Sequence, residues 1–278
     1  MNNDLVSVVI PNYNYAHYLQ QAIDSVLNQD YEPIEVIVVD DGSTDKSREI
    51  LRSYGTRIKV IEIHNSGAPT ARNFGLMSTR GKYIAYLDSD DYWMANKISS
   101  QIQRLIETRT ELVYCAMSVV EVESGRIEIS TEDREGSFRN EFLHHPGRTP
   151  FPPSTVLMTR NLVSRAGIWD TTFQSPAEDF DYFRRCAKYT NFSLVREVLV
   201  VHRNHTKSLT SQSLEKYYLD NCLSLVKLFA DEYPRLSAYK RRISWIKLNS
   251  SFAKEFVRSH RLLMFLRCLL ECLLPIRL

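Results

Sequence analysis

IEVIVVDDGSTD, residues 34–45, sets an apolar, largely β-branched run against a polar turn, and its reading decides the fold. Ile34 to Val39 predicts a strand. The turn after it has Gly42 for the bend, Ser43 or Thr44 as N-cap, and Asp45 in a first helical turn, where a carboxylate suits the helix dipole. The same unit recurs on either side. Val6 to Ile10, Ile58 to Ile63 and Tyr83 to Leu87 are apolar runs, each followed by a segment that can be helical. Between the first two runs, Leu19, Ala22, Ile23, Val26 and Leu27 form a single helical stripe. Strands alternating with helices predict an α/β chain: a mostly parallel central sheet with helices on both faces.

At 278 residues and 44% hydrophobic content the chain can bury a full core. A net charge of +2 spreads no general polyanion-binding surface, and no nucleic-acid partner is expected. The five cysteines have no CxxC spacing and read as free thiols in a reducing compartment. MNNDLVS has neither a basic nor an apolar leader segment, so a cytoplasmic location is expected. From Leu112 the pattern loosens to strand-like runs, Leu112 to Val120 and Thr155 to Met158, divided by the Pro-rich turn at 150–153. Beyond Ser213, three helices are predicted: Leu214 to Ala230, Ala238 to Val257 and Arg261 to Leu273.

In open α/β sheets ligands bind beyond the carboxyl ends of the strands. Three polar loops fall there: Pro11-Asn12-Tyr13-Asn14, DDGSTD, and Asp88-Ser89-Asp90-Asp91. The last offers hard oxygen ligands for a divalent ion whose other partners are waters and phosphates, although on its own a capping role accounts for it. A carboxylate at the tip of the second strand could take a nucleobase N–H. Arg72, in NSGAPTARN (65–73), could pair with phosphate or base.

VSVVIPNYN, VIVVDDGSTD, NSGAPTARNFG and GKYIAYLDSDDYW, in that order over about the first 95 residues, resemble the amino-terminal half of the family 2 glycosyltransferases. That resemblance implies inverting enzymes of GT-A fold that use Mg²⁺ or Mn²⁺ and a nucleotide-diphosphate sugar, a UDP-sugar above all. By motif position it implies that Pro11, Tyr13 and Asp41 hold the nucleobase with help from Arg72. It also puts Asp88 at ribose or metal beside Ser89, makes Asp90 the main metal ligand, and leaves Asp91 as a helix start. Trp93 resembles an aromatic near the acceptor, where a sugar ring could stack, and a core tryptophan under the loop is the other reading. SPAEDFDYFRR resembles the family's Glu-Asp motif, with Glu178 in the substrate site and Asp179 as general base. His202-Arg203-Asn204-His205 resembles a segment that often reads Tyr-Arg-x-His, bringing His205 to metal or diphosphate, with His202 a departure from the tyrosine.

The expected organisation is a GT-A catalytic domain at 1–213, divided into a nucleotide-binding half (1–110) and an acceptor half (111–213), with a helical extension at 214–278. The acceptor would be a glycan or a lipid-linked sugar in cell-surface polysaccharide or glycolipid synthesis. The alternatives are a non-catalytic nucleotide-sugar or glycan-binding module of this fold, and another α/β enzyme such as a pyrophosphorylase or phosphatase. From Pro234 onward ten Lys/Arg stand against two Glu. Leu262, Leu266, Leu269 and Leu273 share a helical stripe that charges interrupt before it could span a bilayer. Two readings stay open there: peripheral contact with an anionic membrane on its cytoplasmic face, or packing on the main domain or a second subunit.

Overall fold

The computed structural model describes residues 4–130, 134–146, 149, 151–173, 175–205, 214–232 and 236–273. β1 (Val6–Asn12) leads through α1 (Ala16–Leu27) to β2 (Ile34–Asp40), α2 (Ser47–Ser53) and β3 (Lys59–Glu62). α3 (Ala68–Met77) returns the chain to β4 (Tyr83–Tyr86). Then follow β5 (Tyr92–Trp93), α4 (Lys97–Thr108), β6 (Leu112–Glu121), β7 (Ile127–Ser130) and α5 (Arg139–His144). β8 (Leu157–Thr159), α6 (Arg160–Ala166), α7 (Ala177–Cys186) and β9 (Phe192–Asn204) complete the sheet region. α8 (Leu214–Glu232), α9 (Ala238–Arg258) and α10 (Leu262–Leu273) close the described chain.

The strands form one sheet in the order β3-β2-β1-β4-β8-β6-β9-β5, with β7 beside β6. β1 pairs in parallel with β2 and β4, and β2 with β3, as the repeated units predict. Past β4 the sense changes. β8 runs antiparallel to both β4 and β6, while β6 and β9 pair in parallel, so the sheet is parallel across its first four strands and mixed beyond them. β3, at the edge, is largely exposed and not covered on both faces as expected. The run expected from Thr155 starts two residues later as β8, because Pro153–Thr155 is a 3-10 turn.

Successive side chains of a strand point to opposite faces, and the core divides accordingly. Val8 and Ile10 of β1 and Ala85 of β4 pack with α1 and α4, whereas Ile84 and Tyr86 pack with α6 and α7. Gly75 lets α3 lie directly on β1: a Cβ there would come within 2.3 Å of Val9 Cγ1 and 3.3 Å of a Val39 methyl. We expect Gly75→Val to overpack this contact and lower the unfolding free energy by about 1–3 kcal/mol, measured by urea titration.

The helical extension has its own core, in which Tyr218, Phe229, Leu248, Phe252 and Phe256 pack with Leu143 of α5. Arg184 of α7 reaches Asp231 of α8 at 2.6 Å and so ties the extension to the sheet region. All three carboxy-terminal helices fall within a few residues of their expected bounds.

Candidate active site

The parallel register of β1, β2 and β4 delivers their carboxyl ends to one edge of the sheet, and the loops there bind one another. Asn12 Nδ2 donates to Asp40 Oδ1 (3.1 Å) and to Ser43 Oγ (3.1 Å). Asn14, at φ 59°, accepts the Thr44 N–H at 2.7 Å, a left-handed conformation that asparagine tolerates. Asp41 accepts the N–H groups of Ser66 (2.7 Å) and Gly67 (2.8 Å), so each of its oxygens already holds the loop before α3. Burial raises its pKa. An ionised carboxylate has about four lone-pair sites, so both oxygens keep capacity for a further donor. Gly42, at φ 77°, passes so near Asn65 that a Cβ would lie 2.9 Å from its backbone nitrogen.

Asp91 is the buried anchor of the acidic cluster. It accepts Ser154 Oγ–H at 2.6 Å, Arg203 N–H at 3.1 Å and His202 Nδ1–H at 3.0 Å. The expectation of a helix start is thus corrected: β5 follows the cluster, and the next helix begins at Lys97. Asp91 pushes His202 up to about 9, a charge that outweighs the opposing effect of burial. Asp90 faces His205, with Nε2 at 3.2 Å from Oδ2, so the motif position of His205 does bring it to the cluster. Tyr18 stacks on the His205 ring at 5.4 Å and Tyr15 meets its edge at 5.5 Å. Burial, reinforced by Asp91 and Asp88, pushes Asp90 up to about 8.

Arg72 departs most from expectation. It is buried, and its guanidinium reaches carboxylates rather than a base pocket: Asp88 Oδ1 at 2.8 Å, Glu178 Oε1 in close contact, and Asp179 Oδ1 at 4.0 Å. Its plane lies 4.7 Å from the Trp169 ring, which stacks on Tyr182 at 4.0 Å. Burial alone would disfavour this charge, but the three carboxylates overcome that and raise its pKa. Asn73 fixes the arrangement from α3 by exchanging two 2.8 Å hydrogen bonds with the Trp169 backbone.

Glu178 and Asp179 open α7, where anionic side chains suit the helix dipole. Burial pushes Glu178 up to about 7 against the pull of Arg72, and it pushes Asp179 well above the ordinary carboxylate range. Asp179 Oδ1 is buried and has no hydrogen-bond partner.

These groups surround a cleft of about 760 Å³. Pro11, Tyr13, Asp41, Arg72, Asp88, Ser89, Asp90, Glu178 and Asp179 all line it. Tyr13 is 41% exposed there and free to meet a flat ring. Pro152, Pro153, Pro176 and His202 also line the cleft, and of these the sequence had marked His202 only as a departure. The Pro-rich turn is held by Ser154, whose link to Asp91 has no sequence signal.

Trp93 lies beneath the site, not in it. Its ring is 3% exposed, its Nε1–H donates to Ser154 O at 2.8 Å, and the Lys97 ammonium stands 3.9 Å from its face. A sugar therefore has no access to it, and the expected stacking role is corrected to support of the Pro-rich turn. Trp93→Phe is expected to cost about 1–3 kcal/mol of stability by orphaning the Ser154 carbonyl, with nucleotide affinity unchanged by calorimetry.

A cleft at the carboxyl edge of a parallel half-sheet is where open α/β proteins bind their ligands. The family model for glycosyl transferase family 2 matches residues 7–165, and the chain belongs to that family. A glycosyltransferase of Rickettsia typhi is 31% identical over 220 residues, covering 76% of this chain and 68% of the relative. TuaG of Bacillus subtilis, named for teichuronic acid biosynthesis, is 36% identical over 146 residues, 51% of this chain and 53% of TuaG. Among solved structures, residues 1–349 of S. aureus TarS with UDP-GlcNAc superpose with a TM-score of 0.68 at 22% identity, covering 89% of this chain and 72% of that one. A longer TarS chain is covered to 43%. The mannosyltransferase PcManGT of Pyrobaculum calidifontis, with GDP-Man and Mn²⁺, gives 0.60 at 18% identity, covering 91% and 75%. The GT-A fold expected from the four motifs is therefore the fold of this chain.

Proposed function

We propose that this glycosyltransferase moves a sugar from a nucleoside-diphosphate sugar, a UDP-sugar foremost, to a hydroxyl of a glycan or lipid-linked acceptor, with inversion. The observation that carries this reading is Asp179: a buried carboxylate oxygen without a hydrogen-bond partner, in the same cleft as the Asp88-Ser89-Asp90 loop. A carboxylate so placed can take the proton of an acceptor hydroxyl as it attacks the anomeric carbon opposite the departing diphosphate. Single displacement inverts the configuration. The UDP-GlcNAc held by TarS and the pathway named for TuaG support the donor class and a polysaccharide product. Five free cysteines suit a reducing compartment, and the reaction is placed on the cytoplasmic side.

Pro11 and Tyr13 would flank the base, with Asp41 receiving its N–H. Asp88, Asp90 and His205 would hold Mg²⁺ or Mn²⁺. Among the described residues no three His, Cys, Asp or Glu side chains hold a metal by themselves. An ion here would rest on only one or two of these side chains, with substrate phosphates and water as its other partners. The donor set fits in charge as well: burial and two neighbouring carboxylates leave Asp90 short of positive charge. When bound, the ion would neutralise the diphosphate as it departs.

With a panel of nucleotide sugars, nucleotide release is expected to stop with EDTA and to return with Mg²⁺ or Mn²⁺; release indifferent to chelation would argue against this assignment. The pH dependence has a definite sign. A general base works deprotonated, and burial raises Asp179 and Glu178, so kcat/KM is expected to rise with pH along an acid limb near the Glu178 value of about 7. A limb near 4, the ordinary carboxylate value, would show that the buried pair does not control the rate.

A further inference from the structure

α10 is apolar on two sides. Met264, Phe265 and Cys268 pack into the extension's core, while Leu262, Leu263, Leu266, Leu269 and Leu270 are 41% to 83% exposed. At 3.6 residues per turn these leucines cover a continuous arc of about 120°. An apolar arc of that width ordinarily faces a core. Here it faces out.

α9, the antiparallel partner of α10, is basic on its own outer side. Lys240, Lys247 and Lys254 follow one another at seven-residue spacing and are exposed, as is Arg258 on the same arc. Its opposite side, with Trp245, Leu248, Phe252 and Phe256, is buried. Among the described residues the three lysines form no ion pairs, whereas Arg258 is paired with Glu255 at 2.7 Å. The hairpin thus combines a bare leucine face with a row of uncompensated ammonium groups.

We infer that the α9–α10 hairpin docks on an anionic lipid surface, with the leucines entering the headgroup boundary and the lysines meeting lipid phosphates. Charge complementarity decides the occupant. A second copy seated on the same face would bring two strongly basic surfaces together, since residues from 234 onward carry ten Lys/Arg against two Glu. An anionic leaflet attracts each such lysine. No described helix is long and apolar enough to cross a membrane, so the contact is peripheral. The inference does not rest on the reaction proposed above.

The test is cosedimentation of the full chain with vesicles of phosphatidylcholine alone, or of equal parts phosphatidylcholine and phosphatidylglycerol, with no sugar donor present. Pelleting is expected with the anionic vesicles only, and weaker at high salt. Lys247→Glu with Lys254→Glu should lower partitioning by roughly thirtyfold or more, since each lysine contributes about fivefold near such a surface. Leu263→Glu with Leu270→Glu should abolish it. All four positions are exposed and outside the cleft, so melting temperature and nucleotide binding should hold. A wild-type chain left in the supernatant with anionic vesicles, or both variants pelleting like wild type, overturns the inference. So does a solution dimer that the leucine variant dissociates when vesicle binding is absent.

Discussion

Asp179→Asn is expected to lower kcat by about 10²–10⁴-fold while leaving the affinity for nucleotide sugar almost unchanged. The substitution keeps shape and volume, so Arg72, Glu178 and the helix start stay in place; what it removes is the proton acceptor. It also removes a carboxylate that burial holds well above its ordinary pKa, so the melting temperature should not fall. That pairing separates a chemical role from a structural one, because a merely structural aspartate would lose stability along with rate. Steady-state transfer to a defined acceptor, with calorimetric donor binding and a thermal melt on the same preparation, reads all three. An unimpaired rate would move the base elsewhere, and Glu178, the neighbouring buried carboxylate of the same cleft, would be next to substitute.

The second large effect belongs to Arg72. Arg72→Met leaves Asp88, Glu178 and Asp179 around a buried volume that has lost its cation, and stranded buried charges of this kind cost about 3–5 kcal/mol. For a chain of this length that lowers the melting temperature by on the order of 10 °C. Adding Glu178→Gln should recover part of the loss, since the two side chains are in direct contact and their effects cannot add independently. Recovered stability without recovered turnover is the expected pattern, because Asp179 then lacks the charge that offsets its burial. If Arg72→Met melts like the wild type, the guanidinium is not holding the three carboxylates.

The nucleotide end of the cleft was legible because its parts are contiguous: each loop follows directly on a strand whose periodicity is plain. α1 was legible for the same reason, and α8 to α10 because long amphipathic runs need no partner to be recognised. β5 was not, being two residues long and existing only through its pairing with β9. β9 itself was hidden by Arg196 and Glu197, exposed in the middle of an otherwise buried strand. The carboxylate partners of Arg72 were hidden for a different reason. A first-turn arginine is ordinarily solvated, and nothing local shows that its partner stands 106 positions away. Trp93 had two open readings, and its burial beneath the turn that Ser154 holds favours the core one.

The hydrogen bonds that shape the nucleotide loops close within residues 12–67: Asn12 with Asp40 and Ser43, Asn14 with Thr44, Asp41 with Ser66 and Gly67. None of these bonds draws on the later half of the chain. These loops are thus shaped by their own stretch of chain. The acidic cluster is joined differently: Asp88 and Asp91 are hydrogen-bonded to Ser154, and Asp91 also to His202 and Arg203, all from the later half. A substitution in the later half can therefore shift the acidic cluster while leaving those loops as they are.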